Sequence, residues 1–282
     1  MATYNTNFSG YAADAQPSDW TARWVTADNN WLVKAKAGTS GGKVLENTGT
    51  VDGHHFLSWD AVDADAGRAD VEILALMRST SSTTNQFRLT ARGSGAAGSE
   101  TGYCISFNDV ANRFQLFKLV AGTRTNLGSF VVSTLSTNTL HYVLFRVNGS
   151  NLMAKTWLET DPVPTDWIVT ATDSSITDPG WVGVGNEEST GTRDFDFVSI
   201  GTNGDSAPFV TDPDTVIRAS QAVLETAYYG GPAPAFLSHA VLEVGFVNAP
   251  AILVSQMVIE VAFVNGTEVP VSSQQPKMVI IV

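Results

Sequence analysis

Charge is scarce in this sequence: 16% of its 282 residues are Asp, Glu, Lys or Arg, against 43% that are hydrophobic. That balance excludes a disordered chain, which stays unfolded through high charge and few apolar residues. Positive charge is scarcer still, with 16 Lys and Arg against 28 Asp and Glu and a formal net charge of −12. A nucleic-acid backbone rewards clustered Lys and Arg, so no nucleic-acid partner is expected. The single cysteine, Cys104, permits no disulfide within the chain. Its apolar strand context predicts a buried structural thiol. No apolar run approaches the ~20 residues of a membrane span. Residues Met1 to Thr6 lack the basic and apolar regions of a leader, which predicts a chain made and folded in a cytoplasm. Runs with helical spacing are missing too. Ser, Thr, Gly and β-branched residues are plentiful instead, and the expected class is all-β.

Alternation of apolar and polar residues marks the strands. In Gln86 to Arg92, the apolar Phe87, Leu89 and Ala91 interleave with Arg88 and Arg92. Gly102 to Phe107, Arg113 to Val120 and Thr123 to Val132 follow as strands between tight polar turns. His141 to Val147 and Leu152 to Trp157 flank Asn148-Gly149, a strong hairpin signal. Trp181 to Gly185 and Asp194 to Gly201 read as two closing strands. More than about ten short strands with no helical crossover predict a two-layer antiparallel sandwich of jelly-roll type over residues 1–204. Pro208, Pro213 and several acidic residues mark 205–215 as a linker.

Residues 216–282 form a tail with a threefold internal repeat. Its copies are Ala219 to Glu225, Leu237 to Glu243 and Val254 to Glu260, each followed by a small residue and an aromatic: Ala227-Tyr228, Gly245-Phe246 and Ala262-Phe263. The repeated glutamates are 18 and 17 residues apart, which fits one strand plus one turn per copy. Period 2 assigns Leu224, Tyr228, Leu242, Phe246, Ile259 and Phe263 to one apolar side. Short connectors, Gly230 to Pro234 and Asn248 to Pro250, cannot return a strand of about 11 residues, roughly 36 Å, to a parallel start. Two arrangements remain, an antiparallel meander or pairing with other copies of the chain. With Ile280 and Val282 at an apolar end, these residues are the expected assembly surface.

Several residues were weighed for chemistry. Asp194 and Asp196 share a strand face, and Glu187-Glu188 fall in a loop, but the Glu-x-Asp-x-x-Glu spacing of glucanases on such folds is missing. His54 and His55 are adjacent, so on a strand they point to opposite faces and do not chelate together. A surface or turn position is expected for them. No catalytic residue, metal site or cofactor is implied. For a polar ligand such as a glycan, the candidate residues are Arg88, Arg92 and Tyr103 on a sheet face and Trp167 in an exposed loop, the other tryptophans being expected in the core.

The segment Asp19-Trp20 to Trp31, the strand His141 to Val147 with its Asn148-Gly149 turn, and Gly183-Val184-Gly185 with Asp194-Phe195-Asp196-Phe197 together resemble the concanavalin-like, laminin-G-like jelly rolls. The tail copies, Ser-(Gln/His)-x-Val-(Leu/Ile)-Glu, resemble short repeats that follow such domains in structural proteins of tailed bacteriophages. The resemblance implies a non-enzymatic virion protein, a capsid decoration or a tail or fibre accessory. It would assemble with its own copies, preferably as a trimer, and with other virion proteins. A carbohydrate-binding adhesin for host-surface glycans is the alternative, and a glycoside hydrolase the third reading.

Overall fold

The structure, a computed structural model, describes residues 2–25, 31–47, 54–80, 86–108, 113–132, 136–187 and 192–209, and in the tail the backbone of residues 222–229, 235–246, 253–264 and 267–269. Two compact units divide the chain, Met1–Val210 and Thr211–Val282.

In the first unit β1 (Ala2–Thr6), β2 (Trp20–Arg23), β3 (Trp31–Ala35), β4 (Lys43–Asn47) and β5 (His54–Trp59) precede one helical turn, α1 (Asp60–Asp63). Next come β6 (Val71–Ser79), β7 (Gln86–Ser94), β8 (Thr101–Asn108), β9 (Arg113–Val120), β10 (Thr123–Asn126) and β11 (Val131–Val132). The unit ends with β12 (His141–Asn148), β13 (Asn151–Leu158), β14 (Val169–Thr172), β15 (Trp181–Glu187) and β16 (Arg193–Thr202). Sheet A runs β14-β13-β12-β6-β16-β4-β3, with β1 also on β16; sheet B runs β10-β9-β8-β7-β15-β5-β2, with β11 also on β9. The described pairings are antiparallel. Because β6 sits between β12 and β16, and β15 between β5 and β7, the chain shuttles between the layers. The fold is the all-β antiparallel jelly-roll sandwich expected from the strand pattern, of the concanavalin-like kind that the resemblance implies.

The core follows from period 2. Phe87, Leu89 and Ala91 of β7 point inward with Ile105 and Phe107 of β8 and Phe114 and Leu116 of β9, and meet Ile73, Ala75 and Met77 of β6 and Val143 and Phe145 of β12. His55 is fully buried in β5, which corrects the surface or turn position expected for it. A bulge in β16 between Phe195 and Phe197 breaks the alternation. Phe195 therefore enters the core, its ring 5.5 Å from Phe87 and 5.7 Å from Trp31, while Phe197 packs on the outer face of sheet A. That outer face carries Leu74, Leu76, Leu144 and Trp157 as a second apolar cluster. Residues 205–209, which composition assigns to the linker, lie against it. The Ala207 N–H donates to Glu72 Oε1 at 3.0 Å, and the Phe209 ring is 5.8 Å from that of Tyr142.

Two ionisable groups, buried His141 and half-buried Asp173, make the sandwich sensitive to acid. His141 packs edge-on to Phe107 at 5.5 Å, and burial holds its imidazole below the ordinary value, Asp161 opposing. Burial pushes the Asp173 carboxyl up. Lys118 Nζ at 2.6 Å, Tyr103 OH at 2.7 Å and the N–H and hydroxyl of Ser175 outweigh that and hold it well below the carboxylate range. For these two groups the folded values lie below the unfolded ones, so each contributes stability that is lost as pH falls, against the opposite contribution of the raised carboxyls of Asp194 and Asp196. His141 contributes the loss that begins below about pH 6.5, and Asp173 the loss that begins below about pH 4. Denaturant titrations across pH should show both windows. His141→Phe is expected to flatten the upper window and leave the lower one; an unchanged upper slope would contradict this assignment.

In the second unit β17 (Ala222–Tyr229), β18 (Ala235–Phe246), β19 (Leu253–Val264) and β20 (Thr267–Val269) pair in that order as an antiparallel meander. Of the two arrangements that short connectors permit, the meander is the one formed. Its register sets Glu225 opposite His239, His239 opposite Glu260, and Glu243 opposite Gln256. A repeated glutamate thus faces the Gln or His position of the neighbouring copy and never another glutamate.

Candidate functional site

The outer face of sheet B is built by the residues that alternate with the core. Cross-strand register aligns Gln86, Asn108 and Arg113 in one row across β7, β8 and β9, and Arg88, Ser106 and Gln115 in the next. A third row sets Thr90, Cys104 and Phe117 beside Asn126 of β10. These positions are opposite in parity to Phe87, Ile105, Phe107, Phe114 and Leu116, so the apolar core on one side forces a polar surface on the other.

The first two rows and β10 enclose a groove of about 310 Å³ lined by Gln86, Ser106, Asn108, Arg113, Gln115, Arg124 and Asn126. Four side-chain amides and two guanidinium groups line it, and none of these described residues is acidic. Phe117, fully buried, carries the guanidinium of Arg124 at 4.1 Å and that of Arg88 at 4.7 Å from its ring centre. Arg113 stacks on the ring of Phe130 at 4.5 Å. A guanidinium laid on a ring keeps its N–H edges directed sideways, where a planar acceptor meets two of them.

Beyond the groove the same face is apolar. Trp24, Phe56, Cys104, Leu119 and Trp181 cluster there, with the Trp24 and Trp181 rings 4.4 Å apart. Trp181 lies over Gly93, where an added Cβ would come within 2.3 Å of the indole. Cys104 is buried, as expected, and burial pushes its thiol up, away from nucleophilic use.

The residues proposed from sequence for ligand contact occupy three different places. Arg88 is on the groove side, 1% exposed, its Nη2 donating to Gln86 Oε1 at 3.1 Å. Tyr103 points the opposite way, into the core, with its hydroxyl on Asp173. Arg92 has φ +53° at the bulge in β7, which turns its guanidinium onto Asp70 and the carbonyls of Ala69, Gly149 and Ile176. Trp167 lies on the outer face of sheet A, half-buried, 5.3 Å from the guanidinium of Arg146 and 5.1 Å from Lys155 Nζ. Arg92 and Tyr103 do come together, the guanidinium 5.7 Å from the ring centre, while Arg88 and Trp167 lie elsewhere, so the four do not form one surface. Asn108, Arg113, Gln115 and Arg124 were missed, although the alternation Arg113-Phe114-Gln115-Leu116 already marks two of them as sharing a side.

The carboxylates weighed for catalysis are held in the fold. Asp194 has no exposed side chain and accepts from Lys36 and Arg78, while Asp196, 1% exposed, accepts from the N–H and hydroxyl of Ser40. Burial raises both carboxyls, against the pull of Lys36 and Arg78 on Asp194 and of Ser40 on Asp196. Glu187 ends β15, and Glu188 lies outside the described residues. Of the expected assembly residues, Leu224 and Tyr228 fall in β17, Leu242 and Phe246 in β18, and Ile259 and Phe263 in β19. Ile280 and Val282 lie outside the described residues. Among the described residues, no helix is long and apolar enough to cross a membrane.

No family model matches this chain, and no curated protein does. Among solved structures, it is similar to the carbohydrate-binding module CBM66 from Bacillus subtilis, at 14% identity over 66% of this chain and 95% of that one, with a TM-score of 0.45. The exoplasmic/lumenal domain of VIP36, in a Ca2+/Man2-bound form, matches at 9% identity over 76% of this chain and 92% of that one, with a TM-score of 0.49. Arcelin-5, a lectin-like defence protein from Phaseolus vulgaris, matches at 14% identity over 71% and 96%, with a TM-score of 0.43.

Proposed function

We propose that the jelly roll is a non-enzymatic glycan-binding module and that the repeat tail assembles it with other copies of itself. The groove on sheet B carries the first part. Amide side chains both donate and accept, which is what a sugar hydroxyl requires, and Asn108, Gln115, Gln86 and Asn126 supply four of them at one place. The last described residues of the first unit, Ala207 to Phe209, pack on sheet A, the layer opposite the groove. A virion setting, on a capsid, tail or fibre, is proposed on the sequence resemblance of the repeats, with host-surface glycans as the ligand.

A glycan array probed with the full chain tests the groove. Binding is expected, and Asn108→Ala with Gln115→Ala should weaken it by about tenfold or more, since each deletion strips hydrogen bonds from the ligand. Trp167→Ala, on the other sheet, should bind like the parent. Silence across a broad array, or loss with Trp167→Ala alone, would count against this site.

A further inference from the structure

Two Asn-Gly pairs of the first unit meet at one residue. In the register of sheet A, Val71 at the start of β6 stands opposite Val147 of β12 on one side and Thr202 of β16 on the other. Asn148-Gly149 follows the first of these and Asn203-Gly204 the second, so both turns flank Asp70, the residue just before Val71. Both asparagines are exposed, and their turns use positive φ: +56° at Gly149, +58° at Asn203 and +84° at Gly204.

An asparagine followed by glycine is open to an internal reaction. The glycine nitrogen, with no Cβ beside it, bonds to the asparagine Cγ; the Cγ–Nδ2 bond breaks, and ammonia leaves with the nitrogen's proton. Water then opens the resulting succinimide at either carbonyl, giving aspartate or isoaspartate. The first step needs that N–H free and its peptide plane able to turn. Asp70 restrains both nitrogens, but unequally. Its Oδ1 accepts from the Gly149 N–H at 2.8 Å, while Arg92 Nη2 donates to the Gly149 carbonyl at 2.8 Å and to the same Asp70 oxygen at 3.2 Å. Gly149 is thus held at both of its polar groups. Gly204 donates to the main-chain carbonyl of Asp70, at the longer distance of 3.3 Å. A hydrogen bond to a charged acceptor is about twice as strong as one between neutral groups, and a longer contact is weaker again.

We propose that Asn203 and Asn148 are deamidation sites of graded reactivity, and that the Asp70 carboxylate is what holds Asn148 back. Conversion at position 148 would set a new carboxylate near that of Asp70, so the same contact also keeps a like charge out of the clamp.

The full-length protein, aged in mildly alkaline buffer and mapped by peptide mass spectrometry that separates aspartate from isoaspartate, tests this. In the parent, Asn203 should convert about threefold or more faster than Asn148. Asn148 should in turn convert more slowly than in a free peptide spanning residues 145–152. Asp70→Ala removes the carboxylate and keeps the carbonyl that Gly204 uses. Asn148 should then convert about tenfold or more faster and Asn203 at its parent rate, which makes Asn203 an internal check on folding. Asp70→Asn, which retains a side-chain oxygen acceptor, should keep most of the protection. An unchanged Asn148 rate in Asp70→Ala would overturn the inference. So would equal acceleration at both sites, which traces to general loosening and not to one lost contact. A parent in which Asn148 reacts as fast as the free peptide, or faster than Asn203, would overturn it as well.

Discussion

Asp194→Ala is expected to destabilise the sandwich by about 3 kcal/mol, lowering Tm by about 10 °C for a unit of this size. The reason lies in the strand register. Asp194 stands opposite Glu46 of β4 on one side and Arg78 of β6 on the other. Two carboxylates directly across a ladder repel, and Lys36 lies between them, 2.8 Å from Glu46 and 2.7 Å from Asp194. Arg78 donates to Asp194 Oδ2 from Nε at 3.2 Å and Nη2 at 3.0 Å. Deleting the central carboxylate leaves partly buried cations without the charge they were folded around. The loss should be at the lower end of the range for such pairs, because Lys36 keeps Glu46 and both cations reach solvent, with side chains 27% and 16% exposed. Lys36→Met should cost clearly less in the Asp194→Ala background than in the parent, as expected for groups sharing one network. If Asp194→Ala melted within about 2 °C of the parent, the network would be decoration and not a brace.

The same residue shows what a sequence can and cannot disclose. Asp194 and Asp196 were visible as a pair on a closing strand, and nothing nearby in sequence identified Lys36, Arg78 and Ser40, which come from residues up to 158 positions away. Local signals carried further. The Asn148-Gly149 hairpin is there, with Gly149 at φ +56° and β12 paired with β13 from His141 opposite Leu158 to Asn148 opposite Asn151. Strict alternation put Phe87, Leu89 and Ala91 in the core as read. Alternation misled where a bulge interrupts it, at Arg92 and between Phe195 and Phe197, which a strict period of 2 would place on one face; Tyr103, assigned to the polar face without a bulge, lies in the core instead. A bulge adds one residue without changing composition, so the sequence carries no mark of it. The groove was hidden for a different reason. Arg88, Ser106 and Gln115 are 18 and 9 residues apart, and only register makes them neighbours. Arg88 was found because its own strand alternates; its partners belong to other strands.

Truncation after Val210 is expected to abolish self-association while leaving the sandwich folded and its groove intact. The first unit closes its own core between two sheets, with Phe209 packed near Tyr142 and Trp157. The tail's architecture points the other way. Among the described residues, the tail is a single layer of four strands with no second layer in its own unit, and an isolated sheet of that size is marginal in water. Its register supplies a reason for choosing a like partner. The Gln or His position of one copy pairs with the glutamate of the next, and the copies are nearly identical, so an edge strand presents to another chain the pattern that β18 presents to β17. Light scattering on the full chain should therefore give an oligomer, a trimer by preference, and the 1–210 fragment a monomer with Tm within about 3 °C of the sandwich transition in the full chain. A full chain that stays monomeric at high concentration, or a fragment that still associates, would remove the tail from the assembly role and leave its threefold repeat without a purpose that packing can explain.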